Sequence, residues 1–236
     1  MNPKDTLTDD SVDRTSSKPP ALPDLIPDDI FTGTSLILRD RGRLLYGMHP
    51  PRVEGPRQII ELTGIGGHME EYDDSWTACV LREAREEMAC GVRVIPCRET
   101  VVIRSEHDVQ QVTLTGTEHP AAVVFRRYRT SPHQPWHEDN EGEACLVVFL
   151  ADLDGQPRPA MELPALIWLH PTQVVETARR DVLLCDLPAS GAELVESTPA
   201  AMPETAWVRL TDSQEALVLA LGNDAIEFYQ GLLGTR

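Results

Sequence analysis

Short apolar runs bounded by turn residues recur along the chain and predict strands. Two of them, residues 35–39 and 43–48, flank Asp40-Arg41-Gly42 and read as a β-hairpin. The stretch PPRVEGPRQ that follows reads as loop, and residues 59–62 as the next strand. Residues 92–104 are β-branched and partly alternating, which predicts a strand, with another short one at 111–115. The near-continuous apolar runs at 121–128 and 144–153 suit a sheet covered on both faces. Residues 166–169 form a short predicted strand ending at His170-Pro171, with a helix expected over 172–180. Farther on, 206–210 reads as a strand and 213–233 as one or two helices, broken or capped at Gly222-Asn223.

The stretch most suggestive of chemistry is residues 62–91, LTGIGGHMEEYDDSWTACVLREAREEMACG. A glycine turn (Gly64, Gly66, Gly67) follows the apolar run 59–62 and leads through an acidic loop into a helical segment. Ser75 is placed to cap that helix by accepting from a first-turn amide, and Gly91 is placed as its left-handed stop. Helical projection puts Val80, Leu81, Ala84 and Met88 on one stripe and Glu83, Glu86 and Glu87 on the neighbouring one. Like charges at these spacings cost an isolated helix roughly 0.2–0.5 kcal/mol per pair, so helix formation does not ask for them. Arg82 and Arg85 can screen some of this charge. Acidic faces commonly just meet water, but a hard divalent cation such as Mg²⁺ also seeks carboxylate oxygens and substrate phosphates.

The run Gly66-Gly67-His68-Met69-Glu70, then Asp74, then Arg82-Glu83-Ala84-Arg85-Glu86-Glu87, resembles the signature of Nudix hydrolases. The imperfect box spans residues 67–90. Asp74 stands at the family's acid position counted back from Arg82, in a loop one residue longer than the pattern, while Asp73 has the right distance from Gly67. Ala89 stands where the family has glycine. The resemblance implies an α/β fold, a Nudix-type α/β/α sandwich with a mixed central sheet. It also implies metal-dependent hydrolysis of the pyrophosphate linkage in a nucleoside diphosphate linked to another group, ADP-ribose-like or a modified nucleotide. By the same resemblance Glu86 and Glu87 bind Mg²⁺ or Mn²⁺ with a backbone carbonyl near Gly67, and Glu83 ligates or takes the proton of the attacking water. Arg82 orients Glu83 or pairs with Asp74, its expected structural partner. Glu162, shortly before the Trp168 strand, is the candidate acid from outside the helix, with Glu141 and Glu143 as alternatives. The general base stays open among Glu83, Glu162 and a loop acid. The alternative function is a catalytically weak Nudix-fold nucleotide-binding or ligand-sensing protein.

Composition narrows the partners. With 236 residues the chain can bury a sizeable core, and its formal charge of −17 argues against gripping a nucleic-acid backbone. No apolar stretch approaches the roughly 20 residues of a bilayer crossing, and residues 1–20 have no export-type apolar core, so a cytoplasmic protein without membrane association is expected. The five cysteines are scattered with no Cys-x-x-Cys pair, which gives no sign of a disulfide framework or zinc ribbon. His133 and His137 form the one close histidine pair, in the loop-like SPHQPWHEDNEGE, where Trp136 is a candidate to stack on a nucleobase or to anchor its own loop. The expected organisation is a disordered acidic, proline-rich tail over 1–29, a domain over 30–180, and an extension over 181–236 that packs on it or at a homodimer contact.

Overall fold

A computed structural model describes residues 18–128, 142–196 and 202–234. In chain order the elements are β1 (Phe31–Asp40), β2 (Arg43–Met48), β3 (Arg52–Glu54), β4 (Arg57–Thr63), α1 (Trp76–Met88), β5 (Gly91–Ile95), β6 (Thr100–Ser105), β7 (Asp108–Val112), β8 (Ala122–Tyr128) and β9 (Gly142–Asp154). They continue with β10 (Ala165–Leu169), α2 (Pro171–Arg179), β11 (Val182–Leu183), α3 (Asp186–Ala189), β12 (Glu193–Glu196), β13 (Trp207–Leu210), α4 (Asp212–Leu221) and α5 (Ala225–Leu233). The strands make one mixed sheet whose main path runs β11-β13-β4-β2-β1-β9-β8-β6-β7. Parallel pairing of β1 with β9, β13 with β4 and β6 with β8 makes it mixed.

Alternation along the strands feeds two cores. Leu36 and Leu38 of β1, with Leu166 and Trp168 of β10, join Val80, Ala84 and Met88 of α1 on one face. The intervening Ile37, with Ile167 and Leu169, joins Val174 and Val175 of α2, Leu217 and Val218 of α4, and Tyr229 of α5 on the other. The result is a helix-sheet-helix sandwich, the expected fold class. No helix among the described residues is long and apolar enough to cross a membrane.

What positions the site is a fork in this sheet. One edge of β2 is taken by β10 over Leu44–Leu169 to Met48–Ala165. The other edge is shared, pairing with β1 at Arg43, Leu44 and Leu45 and with β4 at Gly47 and Met48. Beyond the fork the glycine loop after β4 lies along the freed edge of β1: Leu36 N donates to Ile65 O and Thr34 N to Gly67 O, each at 2.8 Å. The loop is thereby set by backbone hydrogen bonds between the sheet and α1.

Several expectations change in the structure. The stretch read as loop contains β3, which pairs with the start of β4 across Gly55-Pro56; all three of its residues are exposed and Val53 is its one apolar side chain, so no apolar pattern marks it. The strand expected over 92–104 is two, β5 and β6, divided after Ile95 by Pro96, which has no N–H to donate to a ladder. Residues 18–29, assigned to the mobile tail, pack instead: Leu22 and Ile26 are buried against the α1 face, and Thr115 N donates to Pro20 O at 2.8 Å. Of the extension expected over 181–236, the described part packs on the domain: β13 continues the sheet beside β4, and α4 and α5 cover it. The left-handed stop of α1 is Ala89 (φ 48°, ψ 31°), and Gly91 opens β5.

Candidate active site

Helix α1 starts where a local cap dictates: Ser75 Oγ accepts from Ala78 N at 3.0 Å. A second cap comes from far away in sequence. Glu118 accepts from both the amide (2.7 Å) and the hydroxyl (2.8 Å) of Thr77, placing a carboxylate at the positive end of the helix dipole. No sequence signal near Thr77 points to that residue. Val80, Ala84 and Met88 are buried in the sheet core, which rolls Glu83, Glu86 and Glu87 toward the glycine loop.

Glu83, Glu86, Glu87, Met161 and Glu162 line one cleft of about 570 Å³. Glu162 therefore reaches the helix glutamates from the segment before β10, a segment tied to α1 by Arg158 N to Met88 O and Ala160 N to Glu87 O, both at 2.9 Å. Glu143 lies on β9 and is not among the lining residues. Trp136, Glu141, His133 and His137 lie outside the described residues.

The glycines serve close approach. A Cβ on Gly66 would overlap Thr34 O, one on Gly64 would overlap Ser35 Oγ, and one on Gly67 would overlap the Glu83 carboxyl group. The bare backbone lets Gly66 N donate to Glu87 at 2.9 Å and lets Gly67 sit directly against Glu83. Gly33 on β1 completes this seat, since a Cβ there would come within 2.9 Å of Gly67 O.

Arg82 is the hub of the site. Its Nε and Nη2 take both oxygens of Asp73, at 3.2 and 2.9 Å, while Nη1 donates to Glu83 (2.7 Å) and Glu86 (3.0 Å) and Nη2 to His68 O (3.0 Å). The partner of Arg82 is Asp73, which corrects the expectation of Asp74. The reason is local: Glu70 N donates to the Asp73 carboxylate and Asp73 N to Glu70 O, each at 3.0 Å, and this turn directs Asp73 inward and leaves Asp74 exposed.

Charge follows from this packing. The Arg82 hydrogen bonds hold the Asp73 carboxyl below the usual range. Burial raises Glu83 despite the neighbouring guanidinium. Glu87, only 7% exposed, is pushed up to about 8 by burial, and the negative charge of Glu83, Glu162 and Glu86 adds to this against the bond from Gly66 N. Among the described residues no three His, Cys, Asp or Glu side chains already converge as a metal cage, because Arg82 draws Glu83 and Glu86 to itself. The donor set nevertheless suits a hard divalent cation. Four carboxylates face one cleft, and Glu87, the most buried of them, pairs with no cation among the described residues.

No protein-family model matches the chain. No curated protein matches it either. Among solved structures, a Nudix-family hydrolase from Clostridium perfringens is similar over 61% of this chain and 84% of its own, at 13% identity and a TM-score of 0.39. The dihydroneopterin triphosphate pyrophosphohydrolase of E. coli has the same coverage at 14% identity and a TM-score of 0.39. An ADP-ribose pyrophosphatase from Streptococcus suis is similar over 60% of this chain and 75% of its own, at 14% identity and a TM-score of 0.35.

Proposed function

We propose that the protein is a metal-dependent hydrolase of the pyrophosphate linkage in a nucleoside diphosphate joined to another group. The observation that carries this reading is the convergence of Glu162 with Glu83, Glu86 and Glu87 in one cleft beside a glycine bend without Cβ atoms. An acidic cleft repels a pyrophosphate on its own, so the substrate must arrive with a cation between the two sets of oxygens. Glu86, Glu87 and Glu162, with Glu83 and the Gly67 carbonyl, are the groups that would hold Mg²⁺ or Mn²⁺. When bound, the ion supplies charge neutralisation for the phosphoryl oxygens.

Hydrolysis adds water across one P–O–P linkage. A P–O bond forms from water, the anhydride P–O bond breaks, and the water proton passes to a carboxylate. Glu83 and Glu162 are the candidates for that proton, and burial already raises the basicity of Glu83. Arg82 is a positioning residue: fixed by Asp73, it holds Glu83 and Glu86 in place. An ADP-ribose-like compound is the favoured substrate, with nucleotide sugars, dinucleotides and modified nucleoside triphosphates in the same chemical class. The grip of Arg82 on both Glu83 and Glu86 favours a second reading, a nucleotide-binding or ligand-sensing protein with weak catalysis.

A panel of these compounds, incubated with Mg²⁺ or with a chelator and assayed for nucleoside monophosphate release, separates the two. Mg²⁺-dependent release supports the hydrolase. Thermal stabilisation by a nucleotide without release supports the sensor, and neither response refutes both.

A further inference from the structure

One turn on the rim of the acidic cleft departs from the residue rule of its type. Leu163 N donates to Ala160 O at 3.1 Å, so residues 160–163 form a β-turn with Met161 and Glu162 at its corners. Met161 has φ +52°, whereas Glu162 is not among the residues of positive φ. That is the pattern of a type II′ turn, whose first corner belongs to glycine. A methionine there carries the Cβ clash of left-handed backbone. The turn is fixed on both sides, by Ala160 N on Glu87 O at 2.9 Å and by the buried Leu163.

Packing does not explain the choice of side chain, because Met161 is 79% exposed. Met161 lines the cleft together with Glu83, Glu86, Glu87 and Glu162, and is the one uncharged residue among the described lining residues. A large apolar group is thus retained in strained backbone, in water, next to four carboxylates. Strain held at a site rim is a sign of a binding role.

We infer that Met161 is the specificity contact of this site and seats the face of the substrate's nucleobase; this rests on the pyrophosphohydrolase reading. A thioether is polarisable and favours aromatic faces, whereas a sugar or phosphate gains little from it. The four carboxylates would take the pyrophosphate through the cation, which leaves the thioether for the uncharged part of the substrate. The cleft volume of about 570 Å³ lies in the range that small-molecule sites occupy and admits a nucleotide.

The test compares Met161→Gly and Met161→Leu with the wild type by calorimetry in Mg²⁺, using ADP and methylenediphosphonate, which has two phosphonates and no base. Glycine relieves the turn, so Met161→Gly is expected to raise Tm by roughly 2–4 °C. The same variant should bind ADP about tenfold more weakly, an order of magnitude appropriate to one lost stacking contact, and methylenediphosphonate unchanged. Met161→Leu, which keeps an apolar side chain, should retain most of the ADP affinity. Met161→Gly that binds ADP as tightly as the wild type overturns the inference and leaves the hydrolase reading standing. Failure of the wild type to bind either probe overturns both.

Discussion

Replacing Asp73 with alanine should destabilise the protein far more than replacing its neighbour Asp74. Asp73 is 4% exposed at its side chain and accepts three hydrogen bonds, two from Arg82 and one from Glu70 N. Arg82 is 19% exposed, so loss of Asp73 leaves its cation shielded from water, held by Glu83, Glu86 and His68 O and touched by Cys79 Sγ and the Tyr72 ring. Removing one partner of a buried pair costs about 3–5 kcal/mol. The remaining partners and partial hydration reduce this to about 2–3 kcal/mol. Asp74 is exposed and has no such pairing, so Asp74→Ala should stay within about 0.5 kcal/mol. Urea unfolding at neutral pH measures both. The Asp73 carboxyl is held below its usual range, so its stabilisation is present above the unfolded pKa of roughly 3.9 and disappears as pH falls through the lower folded value. The difference between wild type and Asp73→Ala should therefore shrink in acid. Equal losses for the two variants, or a larger loss for Asp74→Ala, would refute the assignment of Arg82's partner.

Ala89→Gly should stabilise the protein by about 1 kcal/mol, because Ala89 caps α1 at φ 48°, while Gly91→Ala should be nearly neutral, with no neighbour closer than 3.8 Å to the added Cβ. Thermal unfolding that ranks the two the other way contradicts the placement of the helix stop. Glu118→Gln should cost about 1 kcal/mol in chemical unfolding by weakening the charged cap on Thr77, and no loss would mean that Ser75 alone sets the helix start. In chelator, Glu87→Gln should be more stable than wild type near pH 7.5 by about 2–4 kcal/mol and equal to it below about pH 4. The sign follows from a folded pKa of about 8 above the unfolded value: the wild type loses stability as pH rises between the two, and glutamine does not. A pH-independent difference would show that burial of this charge is not the cause.

Much of the fold was readable because it is written in local pattern. The hairpin around Asp40-Arg41-Gly42, the apolar runs that became β8 and β9, and the Ser75 cap all depend on residues a few positions apart. Features decided at longer range were harder to read. Leu22 and Ile26 sit among prolines and aspartates, so composition pointed to a mobile tail, while a groove on the α1 face takes both side chains. Counting residues could not choose between Asp73 and Asp74; the turn closed by Glu70 does. Ala89 and Met161 occupy left-handed backbone against their own preference, and only tertiary structure can impose that. Glu162 was suggested by its place before the Trp168 strand, yet its convergence with Glu83, Glu86 and Glu87 depends on the segment that docks on the carbonyls of Glu87 and Met88.

The measurement closest to the central claim is a Mn²⁺ titration followed by electron paramagnetic resonance, where free hexaaqua ion gives the signal and bound ion does not. The wild type, with ADP present, should remove the signal of added Mn²⁺ in a saturable way, and Glu86→Gln and Glu87→Gln should each restore it while keeping a cooperative unfolding transition. A wild-type signal that stays at the protein-free level, or variants that take up Mn²⁺ as the wild type does, would contradict a cation-gripping role for these carboxylates.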